Sequence, residues 1–177
     1  YFTKSPTTLV MAEGEIAYAP RTQNYHYEME LVFALKSGGT NITEADALSH
    51  IYGCAAGLDM TRRDLQNKAK ENRKPWDTAK DVDESAVITP LRQMSEVPSV
   101  ASGRIHLSQN GTIKQDADLS EMVWSVPEII ADLSTMYTLQ QGDVIYMGTP
   151  AGVGAVSRGD VLAGGVEGIG DFEVKIA

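Results

Sequence analysis

Cysteine is nearly absent: the 177 residues contain one, Cys54. An internal disulfide and a Cys-rich zinc site are therefore excluded. Histidine is scarce, and His26, His50 and His106 could form a metal site only by converging. Positive charge runs short, with 15 Lys plus Arg against 24 Asp plus Glu and a formal net charge of −9. Such a chain is a poor match for a phosphate backbone or an anionic leaflet, so neither nucleic acid nor membrane is expected as a partner. No apolar run approaches the roughly 18 residues that a bilayer span needs. No secretory signal pattern is visible, and the expected location is cytoplasmic. The Gly148–Gly154 stretch lacks the Lys of a Walker loop and does not fit G-x-G-x-x-G, and no G-x-S-x-G elbow occurs anywhere.

What is present reads as an α+β, strand-rich chain with short helices. Length predicts one domain over residues 1–177. The chain opens at Tyr1 in what reads as a mid-protein segment, which suggests that an N-terminal piece is missing. Tyr27 to Lys36 alternates as a strand and stops at Ser37-Gly38-Gly39. Thr43 and Asp46 resemble a capping box for a short helix to about His50; Ile51–Leu58 is a buried apolar strand. Thr61 and Asp64 resemble a second capping box, for a polar helix to about Asn72. Asn110-Gly111, inside Arg104–Gln115, is a hairpin signal. Ser125, Pro127 and Glu128 open a third helix, to about Thr135. Nine of the 16 glycines lie from Gly142 onward, marking short strands at 143–147, 160–166 and 172–176 joined by tight turns. Strict strand–helix alternation is missing, which argues against a doubly wound parallel sheet.

Glu28 and Glu30 are the most informative pair. Two apart on a strand, their side chains leave the same face. A bare pair of this kind is often a solvated face. Here the face continues with Val32 and Ala34, which suggests burial, and buried glutamates need a partner. Asp59, at the end of the apolar run, is either a turn residue or a third ligand in an all-oxygen site for Mg²⁺ or Mn²⁺. Arg63 and Gln66, three apart on one helix face, could hold a substrate carboxylate, or they could be solvated residues at a helix start. Lys68, Lys70, Arg73 and Lys74 read as solvated, and Cys54 as core. The loop holding Thr149 follows a strand and offers backbone N–H groups to an oxyanion.

At these residues the chain resembles the fumarylacetoacetate hydrolase family. The matching stretches run in family order: Tyr1-Phe2-Thr3-Lys4-Ser5-Pro6, His26–Leu31, Gly57–Gln66, Pro75–Lys80, Gly142–Gly154 and Val166–Gly170. Within the family, Arg62-Arg63 and Met122–Glu128 are most similar to the fumarylpyruvate hydrolases of gentisate-type aromatic degradation.

The resemblance implies a mixed β-roll, a homodimer and a divalent cation, Mg²⁺ or Mn²⁺, on Glu28, Glu30 and Asp59. It places Lys80 as catalytic and Arg63, Gln66 and Thr149 around a small diketo acid. The implied reaction is hydrolytic C–C cleavage of a 1,3-diketo acid, 3-fumarylpyruvate to fumarate and pyruvate. Decarboxylation or isomerisation of a 2-oxo acid such as oxaloacetate on the same site is the alternative. A non-catalytic binding relative is a third reading, and its mark, a lost ligand carboxylate, is missing. The family's water-activating His–Glu pair sits on an N-terminal lid that has no counterpart between Tyr1 and Ala177, and none of the three histidines falls in a motif that replaces it.

Overall fold

Short strands dominate the computed structural model, which describes all residues from Tyr1 to Ala177. In chain order the first elements are β1 (Leu9–Met11), β2 (Glu15–Ile16), β3 (Tyr25–Tyr27), β4 (Met29–Leu35), α1 (Glu44–Ala47), β5 (Ile51–Asp59) and β6 (Thr61–Arg62). Then come α2 (Arg63–Glu71), α3 (Asp77–Lys80), β7 (Ala86–Ile88), β8 (Arg92–Gln93), β9 (Arg104–Gln109) and β10 (Thr112–Asp118). The last are α4 (Val126–Met136), β11 (Val144–Tyr146), β12 (Gly154–Ala155), β13 (Val161–Val166) and β14 (Gly170–Ile176).

Three sheets result. The first runs β1-β7-β5-β4-β11, with β8 also on β5, and only β1–β7 is parallel. The second runs β10-β9-β13-β14-β2, parallel only at β14–β2. A small third sheet, β12-β3-β6, lies at the entrance to β4 and β5. One buried apolar cluster joins the two large sheets, with Leu31, Phe33, Ile51 and Leu58 from the first and Leu107, Leu162, Val174 and Ile176 from the second. Every residue of β4 is buried, so this strand is covered on both faces. Cys54 is in that core. No helix is long and apolar enough to cross a membrane.

The strand-rich mixed architecture agrees with the sequence reading, and several local signals are realised. Asn110 (φ 52°) and Gly111 (φ 77°) are both left-handed, as a tight type I′ hairpin requires. Ser125 caps α4 in a full capping box with Glu128. Three expectations need correction. The strand expected from Tyr27 is broken at Glu28, because the chain there leaves one sheet, where Tyr27 faces Gly154, for another, where Met29 faces Leu58. Thr61 caps nothing: it lies in β6, and its hydroxyl donates to the Asp59 carbonyl at 3.1 Å. Asp64 instead accepts from the Thr22 hydroxyl at 2.6 Å and from the Gln23 amide at 3.0 Å. There are four α-helices rather than three, since the single turn of α3 is too short to show a helical period.

Candidate active site

The antiparallel register of β4 and β5 assembles the acidic centre. Met29 faces Leu58 and Glu30 faces Gly57, and the Asp59 amide donates to the Glu28 carbonyl at 2.9 Å. The start of one strand thus lies against the end of the other. Gly57 permits close packing of the neighbouring strands, because a Cβ there would stand 2.7 Å from Val32 Cγ2 on β4 and 2.7 Å from the Val87 carbonyl oxygen on β7. Glu28, Glu30 and Asp59 are buried, and their carboxylate oxygens lie within 4.8 Å of one another. Burial, with the Asp59 charge beside it, raises the Glu30 carboxyl well above the usual carboxylate range.

Three cations converge on two of these acids, Glu28 and Asp59. Lys80, at the end of α3, is 2% exposed. Its ammonium donates to Glu28 Oε2 at 2.7 Å, Asp59 Oδ2 at 2.5 Å and Thr61 Oγ1 at 2.7 Å. Arg63, in the first turn of α2, donates from Nη2 to Glu28 and from Nη1 to Gln66 Oε1 at 2.6 Å. Its Nε is buried with no partner. The third cation, Lys4, has no role in the sequence reading. Its Nζ lies 2.9 Å from Asp59 Oδ1 and donates to Ser85 Oγ at 2.7 Å and to the Lys80 carbonyl. Burial pulls the Lys4 ammonium below the usual lysine range, against the pull of Asp59. The Phe2-Thr3-Lys4 stretch carried the only signal for it. Glu28 and Asp59 are thus each paired with two cations, and Glu30 with none.

The loop after β11 closes the other side. The Gly148 amide donates to Glu30 Oε2 at 2.7 Å. Gly148 has φ +93°, a left-handed conformation in which a side chain would be strained. Next to it, Thr149 Oγ1 accepts from Gln115 Nε2 at 2.8 Å. A cavity of about 690 Å³ opens over the cluster, lined by Lys4, Glu30, Asp59 and Gly148 with Phe2 and Tyr146. That volume suits a small organic ligand. A second cavity, about 410 Å³, lies beyond the loop and shares Met147 and Gly148 with the first.

The structure thus brings Glu28, Glu30, Asp59, Arg63, Gln66 and Lys80 into one cluster, with Thr149 on the loop that closes it. Such all-oxygen donors are what a hard divalent cation prefers. The histidines stand apart: none hydrogen-bonds to the cluster. His26 Nε2 lies 2.8 Å from Asn24 Oδ1, and burial together with the nearby Arg63 charge lowers its pKa to about 4.

Comparison with known proteins fits this geometry. The fumarylacetoacetate (FAA) hydrolase C-terminal profile matches residues 1–177. A fumarylpyruvate hydrolase of a Ralstonia species is 53% identical over 176 residues, spanning 99% of this chain and 91% of its own length. The mitochondrial oxaloacetate tautomerase of Rattus norvegicus is 35% identical over 172 residues, spanning 97% and 78%. The crystal structure of the Pseudomonas aeruginosa fumarylpyruvate hydrolase in complex with Mn²⁺ and pyruvate superposes with a TM-score of 0.96 at 40% identity, covering 99% of this chain and 77% of that one. On fold, sequence and the architecture of its acidic cleft, the chain belongs to the fumarylacetoacetate hydrolase family.

Proposed function

We propose that the chain hydrolyses the C–C bond of a 1,3-diketo acid, 3-fumarylpyruvate to fumarate and pyruvate, in gentisate-type aromatic degradation. The observation that carries this reading is the convergence of three buried carboxylates, each from the β4–β5 junction, with Arg63 and Lys80 paired to them and a cavity over them lined by Lys4, Glu30, Asp59 and Gly148. The relatives named fumarylpyruvate hydrolase support the substrate.

Glu28, Glu30 and Asp59 hold a divalent cation, Mg²⁺ or Mn²⁺. The residues fit it: Asp59 Oδ1 is buried without a hydrogen bond of good geometry, although Lys4 stands near, and the donors are hard oxygens within reach of one ion. When bound, such a cation supplies Lewis acidity to the keto and carboxylate oxygens of the substrate. Arg63 turns its free N–H to the substrate carboxylate, and the Gln66 amide, which donates to nothing else in the chain, adds a hydrogen bond. Lys80 places positive charge where the departing enolate oxygen gathers its negative charge. The Thr149 hydroxyl and its loop amides hold a second anionic oxygen. The working form is a cytoplasmic homodimer.

The tautomerase relative favours one competing reading, enolisation of oxaloacetate on the same cluster. Assays with fumarylpyruvate, acetylpyruvate and oxaloacetate, with Mg²⁺ or Mn²⁺ and with chelator, separate the two. Chelator-sensitive release of pyruvate from the diketo acids is the expected result. Conversion of oxaloacetate without diketone cleavage rejects the hydrolase reading.

A further inference from the structure

We propose that Gln115 is a positioning residue for this site, and that it sets the Thr149 hydroxyl as a hydrogen-bond donor to the bound anion. The inference rests on the hydrolase reading only for the identity of the anion.

Gln115 belongs to the second sheet, whereas the acidic cluster is built on the first. The register of β10 against β9 shifts between Ile113 and Gln115. Ile113 is left 48% exposed, while Gln115 is fully buried. A bulge of this kind re-aims a side chain. Here it carries a polar group into the interior while an apolar one faces water, an inversion with a cost that packing alone does not explain.

The buried amide is fully used. Its Oε1 accepts from the Met29 amide at 3.0 Å, at the backbone link between Glu28 and Glu30. Its Nε2 donates to Thr149 Oγ1 at 2.8 Å and to the Pro150 carbonyl at 2.9 Å. One side chain therefore ties the carboxylate-bearing strand to the loop whose Gly148 amide holds Glu30. Gly152 keeps that loop close, since a Cβ there would stand 2.0 Å from the Lys114 carbonyl oxygen.

The direction of the Thr149 bond matters most. Nε2 has only protons to offer, so Thr149 Oγ1 must accept from it. The hydroxyl proton must then point elsewhere, and it meets no acceptor within the chain. The threonine is left as a donor, which is the polarity an anionic oxygen needs.

The test is a double-mutant cycle on Mn²⁺-loaded protein with oxalate as the probe, repeated as KM for fumarylpyruvate. Gln115→Met and Thr149→Val should each weaken oxalate binding about tenfold, the loss of one charge-assisted hydrogen bond. The double variant should lose no more than the worse single, and Thr149→Ser should restore binding only when Gln115 is present. Losses that multiply, or unchanged binding by a folded Gln115→Met, overturn the proposal. Should Gln115→Met not fold, NMR of the metal-free wild type and Thr149→Val decides. Loss of exchange protection at a Gln115 side-chain N–H in Thr149→Val supports the bond, and unchanged protection overturns it. That readout needs no turnover, so a wild type that cleaves no diketone rejects the hydrolase reading and leaves Gln115 to be judged separately.

Discussion

The charged groups of the β4–β5 junction and those of the outer second sheet obey opposite rules. On the second sheet, Arg104–Asp116 and Lys175–Glu15 pair at 2.7 Å with every partner about half exposed. Water screens such pairs, and they contribute little to stability. At the junction, Lys80 pairs with Glu28 at 2.7 Å and with Asp59 at 2.5 Å, almost completely out of water. Burial there costs desolvation that the pairing roughly offsets, so the cluster is not explained as a stabilising device. Six charged residues in one place, four buried and two half-buried, are better understood as a preorganised field, kept for chemistry.

The most disruptive change should be Asp59→Ala. It removes a proposed ligand and leaves Lys80 and Lys4 without one of their acids. We expect divalent-metal binding to be lost and stability to fall by about 3–5 kcal/mol, the cost of stranding a buried charge. Metal titration and urea unfolding check this, and an unchanged value in both would dismantle the contrast between the two regions.

Next come the cations. Lys80→Met should lower kcat by about 10²–10³-fold, because it acts where charge develops. Arg63→Ala should mainly raise KM, by about tenfold, as loss of ground-state binding does. Steady-state kinetics with fumarylpyruvate separates the two, and equal wild-type activity in both would remove them from the mechanism.

Metal removal should have a smaller effect. Cations already pair with Glu28 and Asp59, so the metal-free chain should remain folded. Bound metal should then add only the mass-action term, about 2.7 kcal/mol at a hundredfold excess over Kd. Thermal melts against Mn²⁺ concentration measure it. A cooperative fold that exists only with metal would show that the ammonium groups do not balance the acids.

The least effect belongs to the outer pairs. Arg104→Ala and Glu15→Ala should leave both the melting temperature and the activity at wild-type values, since exposed pairs are screened. A large drop in either would erase the distinction between the regions.

Much of this was legible beforehand. The Asn110-Gly111 turn and the Ser125–Glu128 cap are local codes, written in residues that touch each other, and both formed. The acidic pair Glu28 and Glu30 was visible as a two-residue spacing, even though Glu28 proved to lie just outside the strand. Lys4 and Gln115 were not legible. Lys4 lies 55 positions before Asp59, and Gln115 meets Met29 across 86 positions, so no window of sequence contains either contact.

What the sequence by itself determined is the short-range part: strand and turn periodicity, helix caps, the absence of disulfide and membrane-span chemistry, and the family to which its motifs belong. Only the tertiary structure decided which acids meet which cations. Antiparallel pairing of β4 with β5 brings Asp59 to Glu28, while α3 delivers Lys80 to both and the N-terminal segment delivers Lys4 to Asp59. Propensity acts between neighbours along the chain, whereas the electrostatics of a site depends on distances through space, and those exist only after the sheets have packed.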